Sequence, residues 1–372
     1  MIQICDKEKC FGCGLCTFAC EYGAIQLKMK DGSWRPIIND GCRECNKCSN
    51  YCIANKFISS KKLTTDSNVE VYAAWNRNKT DNYECTSGGI ATILSRHFVQ
   101  NRGSTVVGAW FNPQNQSVEH RICKNNTEIE FLKGSKYVKS NIEPVMRQLY
   151  LEKDLKDVLI IGVPCEVYAF KIFFKIFRPS CNVFTIDLLC HGGSSPQCFK
   201  EHLENICKKF EAQEIGFRGG KYNCQFIVKS DNQIKYKNPQ FVDPYFSTFM
   251  RHTIFQKVCY ECPFAGTERI GDITLGDFWG LEESLFNDLG TSLIMVNTLK
   301  GSKMMEMIKS GIEIFKRDLT EAMNGNDTLK NPTENEDEYS RLWELINVYG
   351  FARAFTDIYE DYFSIVEAGI QN

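Results

Sequence analysis

The most constraining feature of this chain is a cysteine pattern that occurs twice within its first 52 residues. Both copies have the spacing Cys-x2-Cys-x2-Cys-x3-Cys, and the residues are Cys10, Cys13, Cys16 and Cys20, then Cys42, Cys45, Cys48 and Cys52. Three closely spaced thiolates allow one short loop to wrap around a compact metal–sulfur group. Small residues such as Gly12 and Gly14 allow the backbone to approach it. The pattern therefore predicts a metal-binding domain that ends near Lys56.

This spacing resembles that of bacterial two-cluster ferredoxins, where three cysteines of one run bind one four-iron four-sulfur cluster and the fourth binds the other. The resemblance implies two ligand sets, which are Cys10, Cys13, Cys16 and Cys52 for one cluster and Cys42, Cys45, Cys48 and Cys20 for the other. Glu21 and Ile53 replace the usual prolines, so the turns are expected to differ. Zinc and disulfides are the alternatives, but zinc ligands usually form two pairs and disulfide scaffolds belong to secreted chains.

Composition limits the remaining function classes. The 372 residues predict two or three domains with room for a buried core. A total of 44 lysine and arginine residues nearly balances 46 aspartate and glutamate residues, so nucleic-acid binding is not indicated. We find no signal segment and no apolar run of about 18 residues, so a membrane span is not expected. With 19 cysteines, the chain is expected to be cytoplasmic.

Hydrophobic periodicity predicts an α/β body after the cysteine-rich segment. Strands are expected over 69–75, 104–111, 158–162 and 183–189, helices over 89–101, 166–177 and 196–210, and a hairpin over 225–237. A polar stretch over 59–68 is expected to be a linker. The predicted fold is an α+β ferredoxin-like domain (1–56), an α/β body with a mixed sheet (69–150 and 155–320) and a helical tail (324–372).

Four more cysteines lie near the carboxyl ends of predicted strands or in a loop, where α/β proteins usually have their functional sites. Cys165 follows the strand at 158–162, Cys190 ends the strand at 183–189, and Cys259 and Cys262 form a two-cysteine loop. The carboxyl ends of adjacent parallel strands meet at one edge of a sheet, so these thiols are expected to converge. The alternative is a buried apolar role, which is expected for other cysteines and is open for Cys5. That set is Cys123, Cys181, Cys198, Cys207 and Cys224.

Seven segments resemble, in the same order, stretches of one protein family, the beta subunits of coenzyme F-420 hydrogenase and dehydrogenase. They are TSGGIATIL, KGSKYVKSN, IGVPCEVYAFK, DLLCHGGSS, FRGGKY, CYECPF and GDITLGDFWG. Members of this family bind FAD and a four-iron four-sulfur cluster, and the cluster cysteines match Cys165, Cys190, Cys259 and Cys262. The resemblance therefore implies a third cluster and FAD, with coenzyme F-420 or another deazaflavin as a further candidate.

Two glycine-containing segments are candidates for the flavin site. Thr86-Ser87-Gly88-Gly89 precedes a predicted helix, whose free N–H groups and dipole favour phosphate, and the resemblance implies FAD pyrophosphate there. Taken alone, this motif is more often just a capped helix. In Gly134-Ser135-Lys136-Tyr137 the lysine is suited to pair a phosphate and the tyrosine to stack on a ring, with a surface loop as the alternative.

Charged residues near the predicted third cluster are candidates for catalysis and anion binding. His191 directly follows Cys190 and is the candidate proton donor, or else it holds the cluster loop through a hydrogen bond. Arg218 and Lys221 are suited to an anionic cofactor tail or substrate, with ordinary solvated charges as the alternative. Asp277 is expected in a loop over the flavin, without an assigned chemical role.

Together these features predict an iron–sulfur flavoprotein oxidoreductase. Single electrons would pass between the clusters and FAD, which would exchange a hydride with an unidentified substrate or a deazaflavin, in either direction. The expected partner is a redox protein or a small-molecule substrate, and the oligomeric state is open, a homo-oligomer included. The alternative function is a non-catalytic electron-transfer component of a hydrogenase or dehydrogenase complex.

Overall fold

The computed structural model describes residues 2–59, 69–83, 85–218, 224–335 and 338–359. The expected linker lies almost wholly outside these ranges, as do Lys221 and the part of the tail beyond residue 359. In the described part of the chain, no helix combines the length and apolar character needed to cross a membrane.

The strands are β1 Ile25–Lys30, β2 Ser33–Ile38, β3 Glu70–Asn76, β4 Thr105–Asn112, β5 Ser117–Cys123, β6 Asp157–Gly162, β7 Asn182–Leu188, β8 Glu214–Arg218, β9 Cys224–Ser230, β10 Gln233–Pro239, β11 Ile273–Asp277, β12 Ser292–Val296 and β13 Ile312–Arg317. The α-helices are α1 Leu15–Ala19, α2 Lys47–Tyr51, α3 Ile53–Ser59, α4 Lys79–Tyr83, α5 Ile90–His97, α6 Asn126–Ile129, α7 Glu143–Leu151, α8 Pro164–Phe177, α9 Pro196–Ile206, α10 Pro244–Met250, α11 Leu299–Ile308, α12 Leu319–Gly325 and α13 Tyr339–Tyr349.

A small antiparallel hairpin and short helices form the N-terminal unit. Strands β1 and β2 pair with Ile25 opposite Ile38. Helix α1 carries Cys16 and helix α2 carries Cys48, which is the third cysteine of each run. Both helices are single turns, because each run must bend around its thiols instead of continuing as a helix.

An eight-stranded mixed sheet forms the body, in the order β13-β3-β12-β11-β7-β6-β4-β5. Strands β4, β6, β7 and β11 are mutually parallel, and β12 lies antiparallel to β11. Side chains alternate between the two faces: Val106 packs in the core with α5 and α11, whereas Val107 packs in the core with α7 and α8. Burial of both faces explains why the central strands are continuous apolar runs. The predicted α/β class with a mixed sheet is confirmed.

A second, three-stranded sheet of order β10-β9-β8 packs with α9, α10 and the C-terminal helices around an aromatic core. The predicted hairpin turn is present, with Asp231 and Asn232 both at positive φ. In the tail, α13 and a helical stretch over 351–359 are separated by Gly350, whose φ is 80°. The predicted helical tail is therefore also confirmed.

The N-terminal unit packs directly on the body. Leu15 and Ile53 belong to the same apolar core as Met146 of α7 and Phe170 of α8. The β1–β2 turn is also held, because the Oγ atom of Ser195 donates to the carbonyl of Gly32 over 2.7 Å. The predicted ferredoxin-like segment thus shares its core with the body.

Candidate metal centres and flavin site

Four cysteines of the N-terminal runs line one cavity of about 350 Å³. They are the predicted ligand set Cys10, Cys13, Cys16 and Cys52. Gly12 and Gly14 have φ of 65° and 72°, and a Cβ atom on them would lie 2.7 Å from the Trp34 carbonyl oxygen and 2.8 Å from the Glu143 Cβ atom, respectively. Only glycine fits this tight loop without strain. A donor set of four thiols around one cavity fits the sulfur-only ligation of an iron–sulfur cluster.

A fifth thiol, that of Cys5, lines the same cavity. Its hydrogen bond is the main reason that the pKa of Cys10 is lowered to about 6 and that of Cys52 to about 7. The same interactions, together with burial, raise the pKa of Cys5. Cys5 therefore lies against two predicted ligands. The sequence did not indicate this position, because Cys5 lies outside both runs.

The second predicted ligand set is less enclosed. Cys48 is buried and interacts electrostatically with Cys20 and Cys45, while burial raises its pKa. The backbone N–H of Ala24 donates to the Sγ atom of Cys20 over 3.3 Å. Cys45 is exposed, and Cys42 is partly exposed. These thiols thus lie nearer the protein surface than those of the first set.

The four cysteines of the body line a second cavity, with about 570 Å³ of space that protein atoms leave free. Cys165 lies in the first turn of α8 just after β6, and Cys190 follows β7. Because β6 and β7 are parallel neighbours, their carboxyl ends bring these thiols together. Cys259 and Cys262 approach from the loop after α10, and the N–H of Gly193 donates to the Sγ atom of Cys259 over 3.2 Å. The donor set again consists of four thiols, which fits a cluster.

The two cysteine-lined cavities adjoin. Phe11, which lies between Cys10 and Cys13, lines both of them. Its ring meets that of Phe264 edge to face, with centroids 5.5 Å apart. Phe264 lines the body cavity and follows Cys262 by two residues. The first N-terminal ligand set is therefore the neighbour of the body set.

A buried charged group lies beside the body cavity. The Nζ atom of Lys139 is 2.6 Å from the Oε1 atom of Glu166 and 3.7 Å from the Sγ atom of Cys165. Burial opposes the charge of Lys139, but Cys165 and Glu166 outweigh it and raise the pKa of the lysine. His120 lies behind Glu166, with 3.7 Å between Nε2 and Oε2, and its complete burial lowers its pKa. The sequence did not single out these residues, because nothing local marks Lys139.

The two candidate flavin segments meet at the same edge of the sheet. The backbone N–H of Ser135 donates to the Oγ1 atom of Thr86 over 2.7 Å. The Thr86–Gly89 loop packs between the end of β3 and the start of β12, where Ser292 lies against Gly88. The N-cap of α5 is Gly89 in the left-handed conformation, which has no side chain to cap the helix. A helix N-terminus that begins with glycine fits the approach of an anion.

Lys136 and Tyr137 of the second candidate segment contact other residues of the protein. The ammonium of Lys136 donates to the carbonyls of Phe131, Leu132 and Lys133 at 2.8–3.1 Å, so it holds its own loop together. The ring of Tyr137 stacks in the aromatic core, with its centroid 4.7 Å from that of Phe249. Both side chains therefore have partners inside the protein, and their role at a flavin stays a prediction.

His191 lines the body cavity and interacts electrostatically with Arg218. Arg218 donates to the hydroxyl of Tyr137 over 2.9 Å and forms a 2.8 Å ion pair with Asp277. His191 lines the cavity, and Thr333 donates to its carbonyl. Desolvation lowers the pKa of His191, although the carboxylates of Asp277 and Asp327 act in the opposite direction. The histidine is exposed on its outer side, so it can exchange protons with solvent.

The cysteines expected to be apolar packing residues lie in or against apolar cores. Cys123 and Cys198 are completely buried, and Cys181, Cys207 and Cys224 pack against core residues. Arg218, which the sequence suggested for an anionic tail, forms an ion pair with Asp277, and its role towards an anionic cofactor stays a prediction. Lys221 lies outside the described residues.

Comparison with known proteins agrees with this arrangement. Residues 155–321 match the family model for the C terminus of the coenzyme F420 hydrogenase/dehydrogenase beta subunit, and residues 6–26 match a 4Fe-4S binding domain. The chain is 21% identical over 336 residues to one of the subunits of the F420H2 dehydrogenase of Methanosarcina mazei, an alignment that covers 84% of this chain and 86% of the relative. A 70-residue segment is 33% identical to a ferredoxin of Methanocaldococcus jannaschii, covering 18% of this chain and 91% of the ferredoxin.

The fold also has a solved relative. A chain of the F420-reducing [NiFe] hydrogenase complex from Methanosarcina barkeri superposes with a TM-score of 0.51 at 17% sequence identity, over 70% of this chain and 85% of that chain. The structural match agrees with the arrangement of the large mixed sheet. The chain is therefore an iron–sulfur electron-transfer protein that carries a ferredoxin-type 4Fe-4S binding domain and that is similar, over residues 155–321, to the C terminus of coenzyme F420 hydrogenase/dehydrogenase beta subunits.

Proposed function

We propose that this protein is a flavin-dependent iron–sulfur oxidoreductase with three four-iron four-sulfur clusters and one FAD. The observation that carries the proposal is the adjacency of two four-cysteine cavities, with Phe11 in the wall of both. Cysteine sets so close together suit a chain of one-electron carriers. The proposed order is the surface set containing Cys45, then the set containing Cys13, then the body set containing Cys165.

The proposed flavin site lies at the same carboxyl edge as the body cysteines. The first turn of α5 would hold the pyrophosphate through its N–H groups, with Ser135 beside Thr86 closing the loop. When bound, FAD supplies what the clusters cannot, because it accepts electrons singly and passes a pair on as a hydride. The acceptor or donor of that hydride is proposed to be a small molecule or a deazaflavin such as coenzyme F420.

His191 is proposed to handle the proton that accompanies each electron pair. Its ring lines the body cavity on the side of Asp277 and Arg218, and its outer side faces solvent. Because its pKa is lowered, the neutral imidazole predominates at neutral pH, which suits proton acceptance and relay. The ion pair between Arg218 and Asp277 would fix the wall of the pocket, with 2.8 Å between Nη2 and Oδ2.

Metal content and two cysteine variants test the proposal. Protein purified without oxygen should contain about twelve iron and twelve acid-labile sulfide per chain, together with one FAD. Cys190→Ala should lose about four iron, since it removes a ligand of the body cluster. Cys198→Ala is the matched control, because Cys198 is a completely buried packing residue eight positions away, and its iron content should be unchanged. About eight iron in the unaltered protein would remove the body cluster from the proposal.

The second candidate is a non-catalytic electron-transfer component of a larger complex. The names of the relatives favour it, since one is part of a multi-subunit dehydrogenase and another belongs to a hydrogenase complex. Anaerobic protein with full iron, no flavin and no FAD binding at micromolar concentration would support this second function.

A further inference from the structure

Lys139 is a buried lysine in the wall of the body cavity, which adjoins the N-terminal cavity. Its side chain is 3% exposed, and it lines the body cavity. It also interacts electrostatically with Cys13, which lines the N-terminal cavity. A lysine is buried this completely only where partners stabilise its ammonium. The buried ammonium of Lys139 must therefore be stabilised by neighbouring groups.

The partners fix the ammonium in place. The Nζ atom lies 2.6 Å from Glu166 Oε1, and the other carboxylate oxygen of Glu166 accepts from the N–H of Val163 over 3.2 Å. The aliphatic stem packs on the loop after Cys190, where a Cβ atom on Gly193 would lie 3.2 Å from Lys139 Cδ. The lysine is thus held from both ends, with little freedom to turn away from the cavity.

In this position, the ammonium of Lys139 donates a hydrogen bond to Cys165, which is a predicted cluster ligand. The distance from Nζ to Cys165 Sγ is 3.7 Å, which is a hydrogen-bond distance for sulfur. Reduction adds one negative charge to a cluster, and its potential depends on net charge and on hydrogen bonds to sulfur. In a buried site, a positive charge this close stabilises the reduced form more than the oxidised form. A Lys–Glu pair that served stability alone would not need to lie beside a ligand.

We propose that Lys139 is a positioning residue that raises the reduction potential of the body cluster, through an N–H···S hydrogen bond to Cys165 and through its charge. Glu166 holds the ammonium and partly offsets its charge. Cys13 experiences the charge of Lys139 in addition, so the neighbouring N-terminal cluster is affected in the same direction but less. The resulting difference in potential favours electron transfer towards the body cluster. This inference rests on the proposed function, because it requires a cluster on Cys165.

The test measures the midpoint potential of each cluster in the full-length protein, purified without oxygen and titrated with dithionite under electron paramagnetic resonance. The main variant is the double substitution Lys139→Gln/Glu166→Gln, which leaves no unpaired buried charge. We expect it to lower the equilibrium constant for reduction of the body cluster by about tenfold or more, which is ~59 mV for one electron. The surface cluster containing Cys45 should keep its potential.

A second variant is expected to shift the reduction potential of the body cluster in the opposite direction. Glu166→Gln removes the carboxylate and leaves the anionic cluster on Cys165 as the partner that keeps the ammonium charged, so the potential of the body cluster should rise. Lys171→Gln is the control, because Lys171 lies on the same helix as Glu166 but donates to the Ile270 carbonyl over 2.8 Å, and it should change neither potential nor iron content. A purely structural role for the Lys139–Glu166 pair would not shift the potential in opposite directions.

The outcomes separate the two proposals. Unaltered protein that lacks the iron of a third cluster contradicts the proposed function itself. If the body cluster is present but its potential is unchanged in both variants, the role of Lys139 is refuted while the proposed function stands. If the double variant loses the body cluster, the Glu166→Gln variant is the remaining test. A higher potential of its body cluster supports the inference, and an equal or lower potential overturns it.

Discussion

The rings of Phe11 and Phe264 meet edge to face, with centroids 5.5 Å apart, where the two cysteine-lined cavities adjoin. Phe11 belongs to the first cysteine run, and Phe264 lies just beyond Cys262 of the body. One aromatic contact thus joins the loops of two predicted ligand sets. It ties the N-terminal unit to the body at the point where electrons would cross.

Removal of the Phe11 ring should destabilise the packing of the N-terminal unit on the body. Phe11 is 5% exposed, so Phe11→Ala should lower the free energy of unfolding by about 3–5 kcal/mol. Urea unfolding without oxygen, followed by tryptophan fluorescence, measures this value. Tyr22→Ala is the control, because Tyr22 is an aromatic residue of the same unit that is 55% exposed, and it should cost much less. Equal losses in the two variants would contradict a specific role for Phe11.

The β1–β2 turn offers a second test of docking, with a matched glycine. Gly32 and Gly23 have similar φ of 73° and 61°, so alanine at either position is strained by about 1–3 kcal/mol. A Cβ atom on Gly32 would also overlap the ring of Trp343, whereas one on Gly23 meets no atom within 4 Å. We therefore expect Gly32→Ala to become more sensitive to limited proteolysis than Gly23→Ala. If Gly23→Ala were the more sensitive variant to proteolysis, the turn would not be packed tightly against α13.

The proposed phosphate site can be tested by charge alone. Gly89 is the N-cap of α5 with φ of 76°, a conformation that asparagine and aspartate tolerate better than other side chains. Gly89→Asp places a carboxylate where pyrophosphate is proposed, so FAD should be lost while the iron content is retained. Gly89→Asn has the same shape without the charge and should retain at least part of the FAD. Full flavin occupancy in Gly89→Asp, measured by absorbance, would refute this site.

The pH dependence of stability tests the role of Lys136. Desolvation lowers its pKa to about 7, below the usual value for lysine. Between that pH and the unfolded pKa of about 10.4, the unfolded chain binds one more proton than the folded chain, so stability rises with pH by about 1.4 kcal/mol per unit. The stability difference between unaltered protein and Lys136→Met should therefore change steadily in favour of the unaltered protein from pH 7 to pH 9. A difference that stays constant would mean that the three carbonyls keep the ammonium at its ordinary pKa.

Features that depend on local spacing could be predicted from the amino-acid sequence. A cysteine run must place its thiols around one compact group, so its spacing indicated the N-terminal iron–sulfur domain that the family comparison supports. Apolar runs predicted the central strands, because a strand that is buried on both faces carries almost only apolar side chains. The α/β class with a mixed sheet and a helical tail followed from these runs and is confirmed.

The partner that each side chain contacts could not be predicted from local spacing, because it depends on how the elements assemble. Lys136 and Lys139 are three residues apart in one motif, yet the first donates to local carbonyls and the second reaches Glu166 beside Cys165. Nothing in the local sequence distinguishes these two ammonium groups. Their directions depend on segments that are distant in sequence, such as α8 and the loop after β7, which approach only when the sheet is assembled. The contacts of Tyr137 and Cys5 were not foreseen for the same reason, since their partners belong to other elements.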